Sequence, residues 1–286
     1  MKNLYLTDTD DDFDEWYEKY AHFYKIDKRI SYLENIIGGL NLEKKRKCPI
    51  CGEFFIEFEP FGELLYENDQ CPNCGSLASH RGLYLEMERE TNIFNETNNI
   101  KILHFAPEPS LYRLFDKKDK IDYVPVDLNK ELYKKELFFF CAGITLKYFE
   151  NYQDYIKEQM DVQDIPYDNN TFDYIIINHV LEHVPQDKKA INEIYRVLKP
   201  GGVAFISVPI GGEITNEDER INTPELRLKY YEDPTHLRLY GRDLKGKLED
   251  FGFEVEEYCS GTYFSKKDKK LYNLPDDEYT YICRKP

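Results

Sequence analysis

From residue 100 onward, short apolar runs alternate with stretches whose apolar positions recur at helical spacing. The predicted strands are Ile100–Phe105, Asp122–Val126 with Asp127 at its end, a third ending near Asp161, Phe172–Ile177, Val203–Val208, Phe253–Tyr258 and Tyr279–Cys283. The predicted helices are 181–198 and Arg242–Phe251, and Pro200-Gly201-Gly202 is expected to break the chain before the next strand. Strands that alternate with helices predict an α/β fold with a mostly parallel sheet covered on both faces.

The first hundred residues are patterned differently and predict three smaller segments. Residues 1–46 form an acidic lead in which the apolar positions from Ile30 to Leu40 are spaced for a helix, and residues 47–80 carry paired cysteines. Residues 81–99 are expected to form a connecting helix. The sequence therefore predicts four units, of which 100–286 is the α/β domain.

Four of the seven cysteines stand in two Cys-x-x-Cys turns, each followed by a glycine. A tight turn of this kind lets two thiolates grip one ion, and two such turns complete a tetrahedral four-sulfur site. A saturated site of this type is structural, so we expect zinc, with iron as the chemical alternative. The predicted metal ligands are Cys48, Cys51, Cys71 and Cys74.

The charge balance limits the partners of this chain. Against 38 Lys and Arg residues stand 54 Asp and Glu residues, which gives a net charge of −16. A surface this acidic disfavours general binding to nucleic acids and anionic membranes. The short basic run Lys44–Lys47 keeps a local docking role open.

The beginning of the chain and its cysteines bear on the expected compartment. Met1 to Asp12 lacks the basic and apolar regions of a secretory signal peptide. No run approaches the roughly 20 apolar residues that a membrane span needs. Paired cysteines used for a metal indicate a reducing environment, so we expect a cytoplasmic protein without a membrane partner.

Two stretches, Asp161–Val184 and Tyr195–Val203, resemble the class I S-adenosylmethionine-dependent methyltransferases, in particular the type 11 group. The resemblance covers roughly residues 100–260. It implies a Rossmann-like sheet, with S-adenosylmethionine bound where the strands end. The cysteine module would then be an N-terminal zinc ribbon attached to a methyltransferase domain.

The resemblance also implies residues for the cofactor. Asp127 closes the second strand, where its carboxylate can accept the ribose hydroxyls, although an Asp there can also cap a helix. Asp161 fits the position that accepts the adenine amino group, and Asn178 and His179 would face the methionyl part. The expected cofactor-binding residues are Phe105, Ala106, Glu108, Asp127, Leu128, Asp161, Val162, Asn178 and His179.

The first loop departs from the family. Its usual glycines and preceding acid are replaced by Leu103-His-Phe-Ala-Pro-Glu-Pro-Ser110, in which prolines stiffen the turn. The chain resembles a branch of zinc-ribbon methyltransferases in which a knuckle like Cys74–Arg81 precedes such a loop. We hypothesise that Glu108 supplies the missing acid and pairs with the cofactor ammonium, with a surface glutamate as the alternative.

Methyl transfer requires alignment of an acceptor and removal of its proton, and histidine titrates in the suitable range. The candidate catalytic residues are His179, His183 and His236. Quinone-pathway and small-RNA methyltransferases carry Glu-x-x-Glu-His at the place of His179-x-x-Glu182-His183, so a second divalent metal near Glu182 and His183 stays open. A reversed zinc-peptidase motif is disfavoured, because the first histidine follows a strand.

Together these features predict methyl transfer from S-adenosylmethionine to an oxygen or nitrogen of a small-molecule or carbohydrate acceptor. One alternative is an RNA methyltransferase that uses the ribbon for docking. Another is an inactive methyltransferase fold that binds proteins.

Overall fold

The computed structural model describes residues 45–61, 66–94, 99–116, 118–129 and 156–286. The helix predicted from Ile30 to Leu40 and the position of Cys141 lie outside these ranges. Within them, the α-helices are α1 Ala78–Glu90, α2 Pro109–Phe115, α3 Asp187–Val197, α4 Pro224–Tyr231, α5 Leu244–Glu249, α6 Ser260–Tyr263 and α7 Lys266–Tyr272.

A seven-stranded sheet forms the centre of the α/β region. Its strands are β5 Ile100–Phe105, β6 Ile121–Asp127, β7 Glu158–Gln159, β8 Phe172–Asn178, β9 Leu198–Ser207, β12 Glu254–Cys259 and β13 Tyr279–Arg284. They lie in the order β12-β13-β9-β8-β5-β6-β7. The strands β9, β8, β5, β6 and β7 are parallel to their neighbours, whereas β13 is antiparallel to both β9 and β12. The carboxyl ends of the parallel strands therefore share one edge.

Alternation along the central strands divides the core between the two faces of the sheet. Leu103 and Ile175 point into one apolar cluster, which includes residues of α3 and α5. Ile102 and Ile176 point into the other, which includes residues of α1 and α2. A strand buried on both faces reads as a continuous apolar run, which is why β8 is recognisable in the sequence.

Most predicted elements agree with the structure within one or two residues, but three differ. The connecting helix expected over residues 81–99 is α1, which begins at Ala78 and ends at Glu90. The predicted helix 181–198 is divided into a 3-10 turn, Leu181–His183, and α3. The division follows from Pro185, because a proline disfavours helical geometry in the residue before it, and Val184 has φ −85° and ψ 122°. The expected break at Pro200 is instead crossed by β9, with φ +76° at Gly201.

The cysteine module consists of two small antiparallel pairs. Strands β1 Arg46–Lys47 and β2 Phe54–Phe55 form one pair, and β3 Glu59–Phe61 and β4 Tyr66–Gln70 form the other. Helix α1 begins soon after the second cysteine turn. The predicted division of the chain into four units stays a prediction.

Arg81 joins this module to the α/β region. Its side chain is fully buried and lies over the Phe58 ring, 3.9 Å from the guanidinium carbon to the ring centroid. The guanidinium donates to four backbone carbonyl oxygens, those of Asp69, Ser76, Tyr272 and Asn273. Two acceptors lie beside the cysteines and two at the end of α7, so one side chain fixes the module against the C-terminal region.

We predict that Arg81→Met lowers the free energy of unfolding by at least about 3 kcal/mol, because it leaves buried carbonyls without donors. Urea denaturation of the full chain measures the change. Arg220→Met is the matched control, since the Arg220 side chain is 89% exposed and pairs only on the surface with Asp218; its loss is expected to stay below about 1 kcal/mol. Equal losses in both variants would contradict the anchoring role of Arg81.

Candidate functional site

The first loop after the central strand β5 brings Glu108 to the carboxyl edge of the sheet. Ala106 adopts a left-handed backbone conformation with φ +46°, which is uncommon for a residue other than glycine. Glu108 follows as the N-cap residue of α2, and Pro109 begins that helix. The prolines of this loop are therefore compatible with a short turn between β5 and α2.

The Glu108 carboxylate is enclosed by polar side chains and is only 12% exposed. His104 Nε2 donates to Glu108 Oε2 at 3.1 Å, while His104 Nδ1 lies 2.9 Å from the Tyr123 hydroxyl. Burial by itself would raise the pKa of Glu108, but these contacts and those of His80 and Asn178 lower it to about 2. Glu108 is therefore a buried carboxylate that stays ionised.

Asn178, the last residue of β8, completes this contact from the neighbouring strand. Its Nδ2 donates to Glu108 Oε1. Because an ionised carboxylate only accepts hydrogen bonds, this contact fixes the orientation of the amide. The Asn178 Oδ1 atom is buried and has no hydrogen-bond partner among the residues that the structure describes. The edge therefore offers one carboxylate and one unsatisfied carbonyl oxygen.

His80 connects the cysteine module to the same carboxylate. Its Nδ1 accepts a hydrogen bond from the Leu77 backbone nitrogen at 3.2 Å and lies 3.4 Å from Ser110 Oγ. Its Nε2 lies 4.0 Å from Glu108 Oε1. His80 and His104 were not predicted as site residues. The sequence signal for His80 was its place shortly after the second cysteine turn.

The acids predicted for ribose and adenine lie at strand ends. Asp127 closes β6, and its Oδ1 accepts from the Asn129 backbone nitrogen at 2.8 Å. Leu128 beside it is 62% exposed, which is unusual for a large apolar side chain. Asp161 follows β7 and accepts from the Gln163 backbone and side chain, while Val162 is buried. Whether these residues hold the cofactor stays a prediction.

His179 stands directly after β8 with φ +52°. Its Nδ1 lies 3.3 Å from Glu182 Oε1 and its Nε2 lies 3.1 Å from Glu278 Oε1. Although burial opposes the charge, these two carboxylates raise the pKa of His179 well above its ordinary value. Glu278 comes from the loop before β13, and no local sequence signal pointed to it.

His183 and His236 lie next to each other although they are far apart in the sequence. Thr235, which precedes His236, is 52 residues from His183. Their ring centroids are 4.8 Å apart in an edge-on arrangement. The Arg238 guanidinium holds the turn after β8 by donating to the carbonyl oxygens of Leu181 and Val184 at 3.1 and 2.6 Å. The structure thus gathers His179, His183 and His236 at one end of β8.

The four predicted metal ligands also form a cluster. The sulfur atoms lie within 4.8 Å of one another, with Cys48 and Cys74 at 3.6 Å and Cys51 and Cys71 at 3.8 Å. A tetrahedral zinc–sulfur distance of about 2.3 Å places two sulfurs about 3.8 Å apart. The Cys74 backbone nitrogen lies 3.5 Å from Cys71 Sγ, within reach of a thiolate. The arrangement is compatible with a zinc ribbon.

Two further observations concern features outside the candidate site. A cavity of about 190 Å³ lined by Tyr84, Phe94, Leu114, Lys118 and Ile121 lies at the opposite end of β6 from Asp127. In the described part of the chain, no helix is both long enough and apolar enough to cross a bilayer.

A family profile described as a methyltransferase domain matches residues 97–258. The chain belongs to this methyltransferase family. The match confirms the resemblance to class I methyltransferases, and the sheet with β13 reversed beside five parallel strands confirms the Rossmann-like fold class.

Curated relatives carry related names. The chain is 48% identical over 46 residues to a demethylmenaquinone methyltransferase of Staphylococcus carnosus, which covers 16% of this chain and 19% of the relative. It is 28% identical over 125 residues to the ubiquinone/menaquinone biosynthesis C-methyltransferase UbiE of Klebsiella pneumoniae, which covers 36% and 47% respectively. The aligned region thus spans between about a fifth and about half of these relatives.

Solved structures show a looser likeness. A SAM-dependent methyltransferase from Archaeoglobus fulgidus aligns over 71% of this chain and 93% of its own, with 17% identity and a TM-score of 0.44. The [4+2]-cyclase SpnF aligns over 80% of this chain and 88% of its own, with 17% identity and a TM-score of 0.47. Both TM-scores lie below 0.5, so the family assignment depends on the profile match and the strand order.

The pKa of Glu108 predicts a pH dependence of stability. A carboxyl group whose folded pKa is depressed stabilises the fold above its unfolded value near 4.5, and this contribution is lost as the pH falls toward 2. We expect the difference in unfolding free energy between wild type and Glu108→Gln to shrink as the pH falls from about 5 to 3. Denaturant titrations at several pH values measure it, with Glu254→Gln at an exposed position as control. A difference independent of pH would contradict the prediction.

Proposed function

We propose that the protein binds S-adenosylmethionine at the carboxyl edge of the sheet and transfers its methyl group to an oxygen or nitrogen of a small-molecule or carbohydrate acceptor. The observation that carries this proposal is the Glu108–Asn178 pair. It presents a buried, ionised carboxylate together with an unsatisfied carbonyl oxygen at the end of β5 and β8. An ammonium group supplies the donors and the positive charge that such a pair lacks.

The remaining cofactor contacts follow from the same edge. Asp127 would accept the ribose hydroxyls, with Leu128 beside the nucleoside, and Asp161 and Val162 would receive the adenine. Phe105 and Ala106 would bring the loop backbone close to the cofactor. The Asp161 carboxylate accepts hydrogen bonds from the Gln163 side chain in the structure, so the adenine amino group would share this acceptor with Gln163.

His179 is suited to a role other than that of a base. The carboxylates of Glu182 and Glu278 raise its pKa and so favour the protonated imidazole, which has no lone pair to accept a proton. Both ring nitrogens already face these two carboxylates, so the charge of His179 is balanced within the protein.

His183 and His236 would line the acceptor side. The sulfonium already activates the methyl group, so the protein needs chiefly to align the acceptor and to receive its proton. The Nδ1 of each ring is engaged with another group, at 3.1 Å from Thr235 Oγ1 and 2.9 Å from the Tyr231 carbonyl oxygen. The Nε2 atoms are thereby left for the acceptor or a group that binds it.

The net charge of the chain favours a small acceptor. A net charge of −16 opposes the phosphates of RNA, so a small acceptor is favoured over an RNA chain. The relatives are named for methylation in quinone biosynthesis, and UbiE for methylation at carbon. Salt-sensitive binding of RNA in a filter assay would instead favour the ribbon as an RNA-docking module.

Calorimetry with S-adenosylhomocysteine tests the proposal. Wild type is expected to bind one equivalent, and Glu108→Ala is expected to bind at least about tenfold more weakly, the equivalent of about 1.4 kcal/mol. Glu254→Ala, at an exposed position, is the matched control and should bind as wild type does. Unchanged affinity in Glu108→Ala would remove Glu108 from the cofactor site. No binding to wild type would favour an inactive fold that serves protein contacts.

We further infer that the four-cysteine cluster holds a structural zinc ion. Four thiolates leave no open coordination position, so the ion would supply folding energy and no catalysis. Metal analysis is expected to find zinc and no iron, and replacement by Co²⁺ should give thiolate-to-metal charge-transfer absorption. Cys51→Ser should abolish that absorption and lower the melting temperature, whereas Cys259→Ser, outside the cluster, should change neither. Iron in the purified protein would overturn the choice of metal.

A further inference from the structure

Helix α1 carries a buried acid that neither the candidate site nor the cysteine cluster uses. Glu86 is only 2% exposed, and its neighbours on the helix, Leu83 and Met87, pack into the apolar cluster between α1, α2 and the sheet. Glutamate is almost never fully buried unless it is paired. The surroundings of Glu86 therefore decide which protonation state it adopts in the folded chain.

A short row of hydroxyl groups lies beside Glu86 on the sheet. The Thr280 hydroxyl on β13 is close enough to lower the pKa of Glu86 by hydrogen bonding, and Thr280 Oγ1 lies 3.1 Å from Ser207 Oγ on β9. A protonated Glu86 can donate its O–H to Thr280, whose own hydrogen is then free to point to Ser207. The row can therefore accommodate a carboxyl group that carries a proton.

One oxygen of the Glu86 carboxyl group has no hydrogen-bond donor beside it. The Oε2 atom is buried and has no hydrogen-bond partner among the residues that the structure describes. An ionised carboxylate shares its charge between both oxygens, so the lack of a donor at Oε2 is costly. A protonated carboxyl group leaves only a neutral carbonyl oxygen unpaired. The geometry therefore favours the protonated form.

The titratable groups that face Glu86 strengthen this preference. Glu90 lies on the same helix and Glu278 in the loop before β13, while Tyr263 of α6 donates to Glu90 and Tyr258 of β12 also faces it. Burial has the largest effect on the pKa of Glu86. Together with the charges of Glu278 and Glu90 it raises this pKa to about 7, although the hydroxyl on β13 opposes the shift.

The arginines of the neighbouring elements are engaged with other acids. Arg89 Nη2 lies 3.3 Å from Asp268 Oδ2, and Arg284 Nε lies 3.6 Å from Glu256 Oε1. Within the described ranges, no cation is among the groups that shift the pKa of Glu86. The charge of an ionised Glu86 would therefore stay uncompensated.

We propose that Glu86 is a pH-sensitive switch, which holds α1 on the sheet while its carboxyl group is protonated and loosens the helix when that proton passes to the solvent. The ionised group has acidic neighbours and lacks a donor at Oε2, so the fold can relieve it only by admitting water to the carboxylate. Because Glu86 lies between α1 and the sheet, water reaches it when the helix moves away from β13.

Helix α1 connects this switch to the rest of the molecule. His80, less than two turns before Glu86, lies 4.0 Å from Glu108, and Arg81 joins the cysteine module to the C-terminal region. Movement of α1 would therefore reach the candidate site. The switch itself requires neither a cofactor nor a metal, so it goes beyond the proposed function and does not depend on it.

Urea denaturation of the full chain at several pH values tests the proton. An acid whose folded pKa is raised stabilises the fold fully below its unfolded value near 4.5, and this contribution is lost as the pH rises through about 7. Relative to Glu86→Gln, a neutral isostere, the folding equilibrium constant of wild type should fall at least about tenfold between pH 5 and 8, the equivalent of about 1.4 kcal/mol. Glu88→Gln, exposed on the same helix, is the matched control and should show no such dependence on pH.

Amide hydrogen exchange locates the effect. In wild type, the protection factors of α1, corrected for the intrinsic effect of pH, should fall at least about tenfold relative to those of β8 between pH 5.5 and 8. In Glu86→Gln they should stay level, and Glu88→Gln should follow wild type. The wild-type comparison of α1 with β8 needs no variant, so it decides the result even if Glu86→Gln does not fold.

Two outcomes would overturn the switch. A stability ratio between wild type and Glu86→Gln that is independent of pH would show that Glu86 carries no shifted proton. A loss of protection spread evenly over α1 and β8 would show general destabilisation without release of the helix. Neither measurement uses S-adenosylmethionine, so failure of the proposed function leaves both results unaffected.

Discussion

A carboxylate withdrawn from water stays charged only where polar groups replace the lost solvent, and Glu108 meets that condition through side chains from three other segments. His104 comes from β5, Asn178 from β8, His80 from α1 and Glu108 itself from the loop before α2. The surroundings that keep this carboxylate ionised therefore form only when these segments assemble, and the proposed cofactor edge depends on them. In the proposed function, this contact takes the place that the sequence resemblance gives to a glycine-rich loop and its preceding acid.

The same contact gives the cysteine module a role beyond its own stability. The cysteine turns fix the start of α1, where Arg81 clamps backbone carbonyls on both sides and His80 faces Glu108. The module thus contacts the loop that carries Glu108 through residues at the start of α1. It can in this way support a stiff loop that contains prolines.

A second buried carboxylate, that of Glu182, lies on the proposed acceptor side. Glu182 is buried, and among the described residues His179 Nδ1 lies 3.3 Å from one of its carboxylate oxygens. Arg238 holds the backbone of the turn, while Thr235 and Tyr231 orient the rings of His183 and His236. Two buried carboxylates, Glu108 and Glu182, thus mark the two halves of the proposed reaction centre, with Asn178 and His179 between them at the end of β8.

The strands were predictable from the sequence, because strands buried on both faces consist mainly of apolar residues, as in β8. The sequence also determined the cysteine cluster, since ligand spacing within one turn is a local property. The continuous helix predicted over 181–198 and the chain break predicted at Pro200 were wrong. The effect of a proline or glycine on the backbone depends on which other segments that backbone pairs with. The contacts that bring His80, His104 and Glu278 to the candidate site, and His236 to His183, become visible only in the folded chain. These contacts join residues far apart in the chain, and their energies depend on burial, which no local pattern encodes.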